Sequence, residues 1–173
     1  MEIRRATPED AEAFARVIAE VAAEERWIGT QPPVDVDAYA ERLRGRMRDE
    51  DDVLWVLEEE DGRVIGTLGL HPTHAVGVMS LGMCIVHDAR GRGRGRLLMD
   101  TALVHALDAD LHKLELEVWP DNERAIRLYE SYGFEIEGER RLHYRRRDGT
   151  LRSSLIMARL FVDEDQSRPD GGT

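Results

Sequence analysis

One stretch constrains this chain more than any other. Arg90-Gly91-Arg92-Gly93-Arg94-Gly95-Arg96 lies between a strand-like apolar run, Val76 to Val86, and Leu97 to Leu107, whose apolar residues share one helical face. Glycines let a backbone take positive φ and come close to a ligand. A helix that follows adds unpaired N–H groups and the positive end of its dipole. Phosphate is the natural guest of such a turn. The spacing excludes two common phosphate loops. Gly95 is followed by Arg96 and Leu97 rather than Lys and Ser or Thr, so this is not a P-loop, and G-x-G-x-x-G fails at Arg96.

The patterns on either side give the element order. Glu2 to Arg5 reads as a short strand, and Thr7-Pro8-Glu9-Asp10 as a helix start with a capping threonine, an early proline and acids at the positive dipole end. Ala11, Phe14, Val17, Ile18 and Val21 continue at helical spacing. From Glu24 to Val36 the pattern lapses, and Trp27, Gly29, Gln31, Pro32 and Pro33 mark a loop before a second helix, Asp37 to Arg48. Val53 to Leu57 and Val64 to Leu70 flank the hairpin signal Asp61-Gly62. Lys113 to Trp119 is a strand, and Asp121 or Asn122 caps a helix through Tyr132. Two strands follow around Asp148-Gly149. The order β-α-α-β-β-β-α-β-α-β-β predicts a mixed sheet with helices on its faces. Residues 1–162 are expected to form one domain, and the tail Asp163 to Thr173, rich in acids and small residues, to be disordered.

Composition narrows the function classes. Cys84 is the only cysteine, which excludes an intramolecular disulfide and a cysteine zinc site. No signal-peptide-like segment and no apolar run near the roughly 18 residues of a membrane span is seen, so a cytoplasmic location with no membrane partner is expected. Lys plus Arg is 24 against 35 Asp plus Glu, 24 − 35 = −11, which argues against a general polyanion binder. Asp49 to Asp61 hold eight carboxylates and no Lys or Arg, whereas Arg90 to Arg96 hold four arginines and no acid. A basic island in an acidic chain fits a small anionic ligand better than a duplex. The arginines have no interleaved aromatic residues, which argues against a nucleic-acid grip.

Two motifs together carry a resemblance. Arg90, Gly93 and Gly95 in the spacing R-x-x-G-x-G, within Ile85 to Met99, resemble the pyrophosphate loop of the GNAT superfamily of acyl-CoA N-acyltransferases. Asn122 to Phe134, reading N-x-x-A-x-x-L-Y and then G-F, resembles that family's later motif. The resemblance covers residues 3–160. It implies a mixed, mostly antiparallel seven-stranded α/β (α+β) sheet with about four helices, in which the central parallel fourth and fifth strands splay apart around acetyl-CoA. No metal is implied.

The resemblance also implies a site. Met83, Cys84 and Ile85 would offer strand backbone groups to the pantetheine arm and acetyl carbonyl. The amides of Gly91, Arg92, Gly93, Arg94, Gly95 and Arg96 would hold the pyrophosphate, arginine side chains of the run Arg90 to Arg96 would pair with the 3′-phosphate, and Asn122 would bond the pantetheine. Tyr129 would sit near the sulfur as general acid, since a phenol near that sulfur can protonate a departing thiolate. The same tyrosine also fits a core stripe with Ala125, Leu128 and Tyr132. Many relatives place the general base as a glutamate on the fourth strand. Val78 to Val86 contains no acid, which leaves Glu115, Glu117, His71, His74 or a water relay. Cys84 reads as a small hydrophobe, which favours direct transfer over an acyl-enzyme.

The C-terminal third resembles L-amino-acid N-acetyltransferases, with related tails in ribosomal-protein and polyamine acetyltransferases. A small-molecule amine acceptor and a homodimer are the partners this implies. The substrate walls would be Glu24 to Val36 and Leu142 to Arg152, with Trp27 lining a pocket or anchoring the loop and Arg141 or Arg145 holding a carboxylate or facing solvent. An idle acyl-CoA sensor is the competing class.

Overall fold

The computed structural model describes residues 1–48 and 52–162. The expected tail and the first residues of the acidic run lie outside them. Seven strands form one sheet: β1 (Glu2–Arg5), β2 (Val53–Glu58), β3 (Val64–Pro72), β4 (Val78–Ile85), β5 (Lys113–Val118), β6 (Glu135–Arg145) and β7 (Leu151–Leu160). Their spatial order is β1-β2-β3-β4-β5-β7-β6. Every pairing is antiparallel except β4 with β5. Four α-helices, α1 (Ala11–Ala23), α2 (Val36–Arg48), α3 (Arg94–Asp108) and α4 (Glu123–Glu130), join them.

Alternation along the strands sorts the core onto two faces. Leu54 and Val56 of β2 point to α1 and α2, where Phe14, Ile18, Ala40 and Leu43 bury with them. Trp55 and Leu57, one residue out of phase, point the other way and pack with Leu68, Leu70, Leu98, Leu114 and Leu116. In α3, Leu98, Met99, Ala102 and Ala106 are buried at helical spacing, which lays this helix flat on the second face.

Several boundaries differ from the sequence expectation, and three of them bear on the shape of the site. The third strand of the central meander begins at Val78 rather than Val76. Val76 stands 96% exposed at a turn whose next residue, Gly77, needs φ 74°. Helix α3 begins at Arg94 rather than Leu97, because Gly93 takes the left-handed conformation (φ 77°) and caps the helix there. Arg94, Gly95 and Arg96 are therefore the first turn of a helix; the Arg96 N–H donates to the Gly93 carbonyl at 2.9 Å, and those of Arg94 and Gly95 have no backbone partner among the described residues. Helix α4 ends at Glu130, before Tyr132.

The predicted helix start at Thr7 holds. Asp10 accepts from the Thr7 backbone N–H at 2.8 Å and is gripped by both Arg4 terminal nitrogens at 2.7 and 2.8 Å. Arg4 holds the Asp10 carboxyl down at about 2, against its partial burial. An unfolded aspartate titrates near 3.9, so this contribution is complete above about pH 4 and is lost as pH falls towards 2. Asp10→Asn should cost about 2 kcal/mol in urea unfolding at pH 7, and the gap to wild type should close between about pH 4 and pH 2.

Candidate active site

The parallel pairing of β4 and β5 lasts for three residue pairs only: Val78 with Lys113, Met79 with Leu114 and Ser80 with Glu115. Beyond them β4 runs on from Leu81 to Ile85 with no β5 partner. Burial follows the divergence. β3 is buried along most of its length, while Gly82 is exposed and Met83, Cys84 and Ile85 are half-buried. A cleft of about 1010 Å³ opens at this point, within the size range of small-molecule sites. Both strands run into it with their carboxyl ends, the usual place for ligands in sheets with parallel strands. The Cys84 thiol, pushed up to about 12 by burial, stays protonated at neutral pH.

At the end of β4 the arginine–glycine run closes one end of the cleft. Gly91 and Gly93 both have positive φ, 89° and 77°. A Cβ on Gly93 would meet nothing within 4 Å, whereas one on Gly95 would stand 3.0 Å from Leu128 Cδ2. The first turn of α3 carries no acid to compete for its amides. The four arginines do not act alike, which corrects the expectation that the whole run presents cations. Arg90 turns back, its Nε donating to the Ile85 carbonyl at 2.8 Å and its terminal nitrogens to Glu24 at 2.7 and 2.5 Å. Arg94 is 8% exposed, donating to the Ala89 carbonyl at 2.9 Å and to Glu59 at 2.5 Å. Arg92 and Arg96 remain, exposed and with no side-chain partner among the described residues. Arg124 of α4, not singled out in the sequence, joins them, with Nη2 3.6 Å from where a Gly91 Cβ would stand.

Helix α4 forms the opposite lip. The Asn122 side-chain oxygen accepts from the Ala125 N–H at 3.3 Å and caps the helix, its NH₂ makes no hydrogen bond among the described residues, and Asn122 lines the cleft. Tyr129 is 7% exposed and tilts against Phe134, with ring centroids 6.0 Å apart. Its hydroxyl makes no hydrogen bond among the described residues, and Tyr129 lines the cleft. Burial holds the phenol well above its ordinary value, so it keeps its proton at neutral pH.

The cleft continues onto the α1/α2 face of the sheet. Gly69 of β3 pairs directly with Gly82 of β4, so two glycines floor this part. The His71 ring leans over Gly69, with Nε2 only 2.7 Å from the position of an added Cβ. Asp52 stands 3.0 Å from His71 Nδ1, and Arg46 contacts both. Burial, reinforced by Arg46, lowers His71 below the ordinary imidazole value, against the pull of Asp52, and so keeps it neutral. Across the floor, Glu117 of β5 accepts from the Tyr144 hydroxyl and from Ser154 Oγ, each at 2.7 Å, and pairs with Arg140 at 3.0 Å. Burial first, then Glu117, pushes the Tyr144 phenol up to about 12.

Of the candidate bases, His71 and Glu117 line the cleft and Glu115 and His74 do not. Trp27 also lines it. Arg141 and Arg145 do not, while their neighbour Arg146 is buried and donates to the carbonyls of Ile28 and Gly29 at 3.4 and 3.0 Å. The Arg147 N–H donates to Gln31 at 2.7 Å, and Arg152 to the Arg26 carbonyl at 3.1 Å. The loop after α1 and the last hairpin therefore form one continuous wall. Among the described residues no group of His, Cys, Asp and Glu is placed to hold a metal ion, and no helix is long and apolar enough to cross a membrane.

The family model described as the acetyltransferase (GNAT) family matches residues 18–134, which include the splayed strands and both lips of the cleft. The chain belongs to this family. Other members show how far the likeness reaches. An L-amino acid N-acetyltransferase of Escherichia coli is 34% identical over 106 residues, 58% of this chain and 64% of that one. A mycothiol acetyltransferase of Tsukamurella paurometabola is 34% identical over 90 residues, half of this chain and 30% of that one. The chain thus spans less than two thirds of either relative. A ribosomal-protein-alanine N-acetyltransferase structure from Brucella melitensis superposes with a TM-score of 0.82 at 26% identity, over 92% of this chain and 99% of that one. An acetyltransferase structure from Salmonella typhimurium, solved with acetyl-CoA, superposes with a TM-score of 0.81 at 20% identity, over 99% of each chain.

The division of the arginines has a direct test in calorimetry. Arg94→Met leaves Glu59 unpaired and should cost about 1–3 kcal/mol, a fall in Tm of roughly 3–10 °C. Arg92→Met should leave Tm within about 1 °C, as surface charges away from packing usually do.

Proposed function

We propose that this protein is an acetyl-CoA-dependent N-acetyltransferase that transfers the acetyl group directly to a primary amine of a small molecule, with free amino acids as the favoured acceptors. The observation that carries the reading is the unpaired edge of β4 at Leu81 to Ile85, flanked by a glycine-rich helix N-terminus on one side and the Tyr129 hydroxyl on the other. The residues present fit the co-substrate. Backbone groups of Met83, Cys84 and Ile85 would bind the pantetheine arm, with the Ile85 carbonyl excepted because Arg90 occupies it. The amides of Gly91 to Gly95 would take the pyrophosphate, that of Arg96 being engaged by the Gly93 carbonyl. Arg92, Arg96 and Arg124 would meet the remaining phosphate, and the Asn122 NH₂ the pantetheine amides.

Acetyl-CoA supplies an activated acyl group whose thiol is the leaving group. The acceptor amine would approach across the Gly69–Gly82 floor, where His71 and Glu117 are the titratable groups able to take its proton. As nitrogen bonds to the acyl carbon and the C–S bond breaks, Tyr129 would give its proton to the sulfur. Protonated Cys84 gives no nucleophile for an acyl-enzyme, which supports direct transfer. The favoured acceptor class rests on similarity to the L-amino acid acetyltransferase and on the continuous wall that bounds the acceptor half. Spermidine and ribosomal-protein-alanine acetyltransferases share the fold, and those acceptors form the alternative.

Tyr129→Phe removes one hydroxyl and keeps the packed ring. Steady-state kinetics on a panel of amines should show kcat reduced about 10²-fold or more, with acetyl-CoA affinity within about threefold of wild type. Near-wild-type turnover would return Tyr129 to the helix core. Acetyl-CoA binding with no turnover of any amine would favour the sensor.

A further inference from the structure

Arg90 opens the pyrophosphate loop, but its side chain leaves that loop for the other half of the cleft. Both Arg90 terminal nitrogens grip Glu24, at 2.7 and 2.5 Å, and the two side chains are only 21% and 23% exposed. Glu24 follows the last residue of α1 and begins the loop that walls the acceptor side. The same Glu24 carboxylate accepts from the Trp27 indole N–H at 2.7 Å. The Arg90 guanidinium also lies 6.0 Å from the Trp27 ring, and Arg26 covers that ring at 4.4 Å. Arg90 and its hydrogen bond to Glu24 are the first causes that hold the Glu24 carboxyl below its usual range, against partial burial.

The rest of the loop is pinned elsewhere: Ile28 and Gly29 to Arg146, and Gln31 to the Arg147 backbone. Among the described residues, Glu24 makes the hydrogen bonds that tie it to the cofactor end. Three donors of one guanidinium are engaged at once, to Glu24 and to the Ile85 carbonyl at the end of β4. That fork is a geometry lysine does not reproduce.

We propose that Glu24 and Arg90 act as a positioning strut between the two halves of the cleft, holding Trp27 as an acceptor-binding wall, so that Arg90 serves the acceptor site and not the phosphates. The inference rests on the assignment of the two halves to acetyl-CoA and to an amine. It makes Glu24 and Trp27 determinants of acceptor affinity that neither motif of the family resemblance contains.

The test is a double-mutant cycle with Glu24→Gln, Arg90→Gln and both together, using the amine that wild type acetylates best. Acetyl-CoA affinity is read by calorimetry, and kcat and acceptor KM by steady-state kinetics. Each single change should raise acceptor KM about tenfold and leave kcat and the acetyl-CoA Kd within about threefold. The double variant should be no worse than either single one, because both remove the same link. Arg90→Lys should fail to restore KM. Glu24→Asp, which keeps charge but shortens reach, should fall between Glu24→Gln and wild type. Two results would overturn the strut: Arg90→Gln weakening acetyl-CoA tenfold or more while Glu24→Gln leaves acceptor KM unchanged, or the two effects adding independently. If Arg90→Gln does not fold, the KM-against-Kd split in Glu24→Gln decides alone, and an unchanged KM overturns the strut. Failure of the underlying assignment looks different, since wild type itself would then bind no acetyl-CoA.

Discussion

The structure turns on a pairing that stops. β4 and β5 are the only parallel neighbours in the sheet, and they stay together for three residue pairs before separating. A strand edge inside a domain is costly to leave open, because each backbone group without a partner loses a hydrogen bond it had in water. Here the open edge faces a cleft instead of packed side chains, so a ligand with amide groups of its own can satisfy it. Everything else in the site is arranged around that edge. α3 leaves the carboxyl end of β4 and α4 the carboxyl end of β5, so their first turns flank one opening.

Electrostatics then separates roles within a chain of formal charge −11. Acidic side chains neutralise the two arginines that face inward, Glu24 for Arg90 and Glu59 for Arg94, and the outward Arg92 and Arg96 stay unpaired. Arg94 anchors the loop through Glu59, Arg90 reaches out of it to Glu24, and the other two arginines leave it attractive to anions. Burial works in parallel on the proton-bearing groups. It raises the phenol of Tyr129 and the thiol of Cys84, so both keep their protons, and it lowers His71, so the imidazole stays neutral. One opening thus holds a protonated phenol on α4 and, on β3, an imidazole biased towards its neutral form.

Most of the fold was legible in the sequence because its signals are local. Apolar runs such as Val53 to Leu57 marked the inner strands, Thr7 and Asp121 or Asn122 marked helix starts, and Asp61-Gly62 and Asp148-Gly149 marked hairpin turns and with them the flanking strands. The early start of α3 was less visible, since Arg94, Gly95 and Arg96 read as loop until the left-handed Gly93 is known to cap a helix. In the site, Tyr129, Asn122 and the loop glycines came from the family resemblance, and all of them line the cleft. The inward turn of Arg90 and Arg94 was not, because their partners lie 66 and 35 residues away and arginine alternating with glycine has no periodicity that tells in from out. Glu117 was one candidate among several until the sheet register set it across the floor from His71. Arg124 was inside a quoted motif but at a position the motif leaves free.

A crystal structure of the complex with CoA shows whether the cleft binds acetyl-CoA with its sulfur under Tyr129. The pyrophosphate is expected on the amides of Gly91 to Gly95, the pantetheine along Met83 to Ile85, and the sulfur within about 3 Å of the Tyr129 hydroxyl or one water away. CoA bound elsewhere, or a sulfur beyond the reach of Tyr129 with the pyrophosphate off the loop, would contradict this placement.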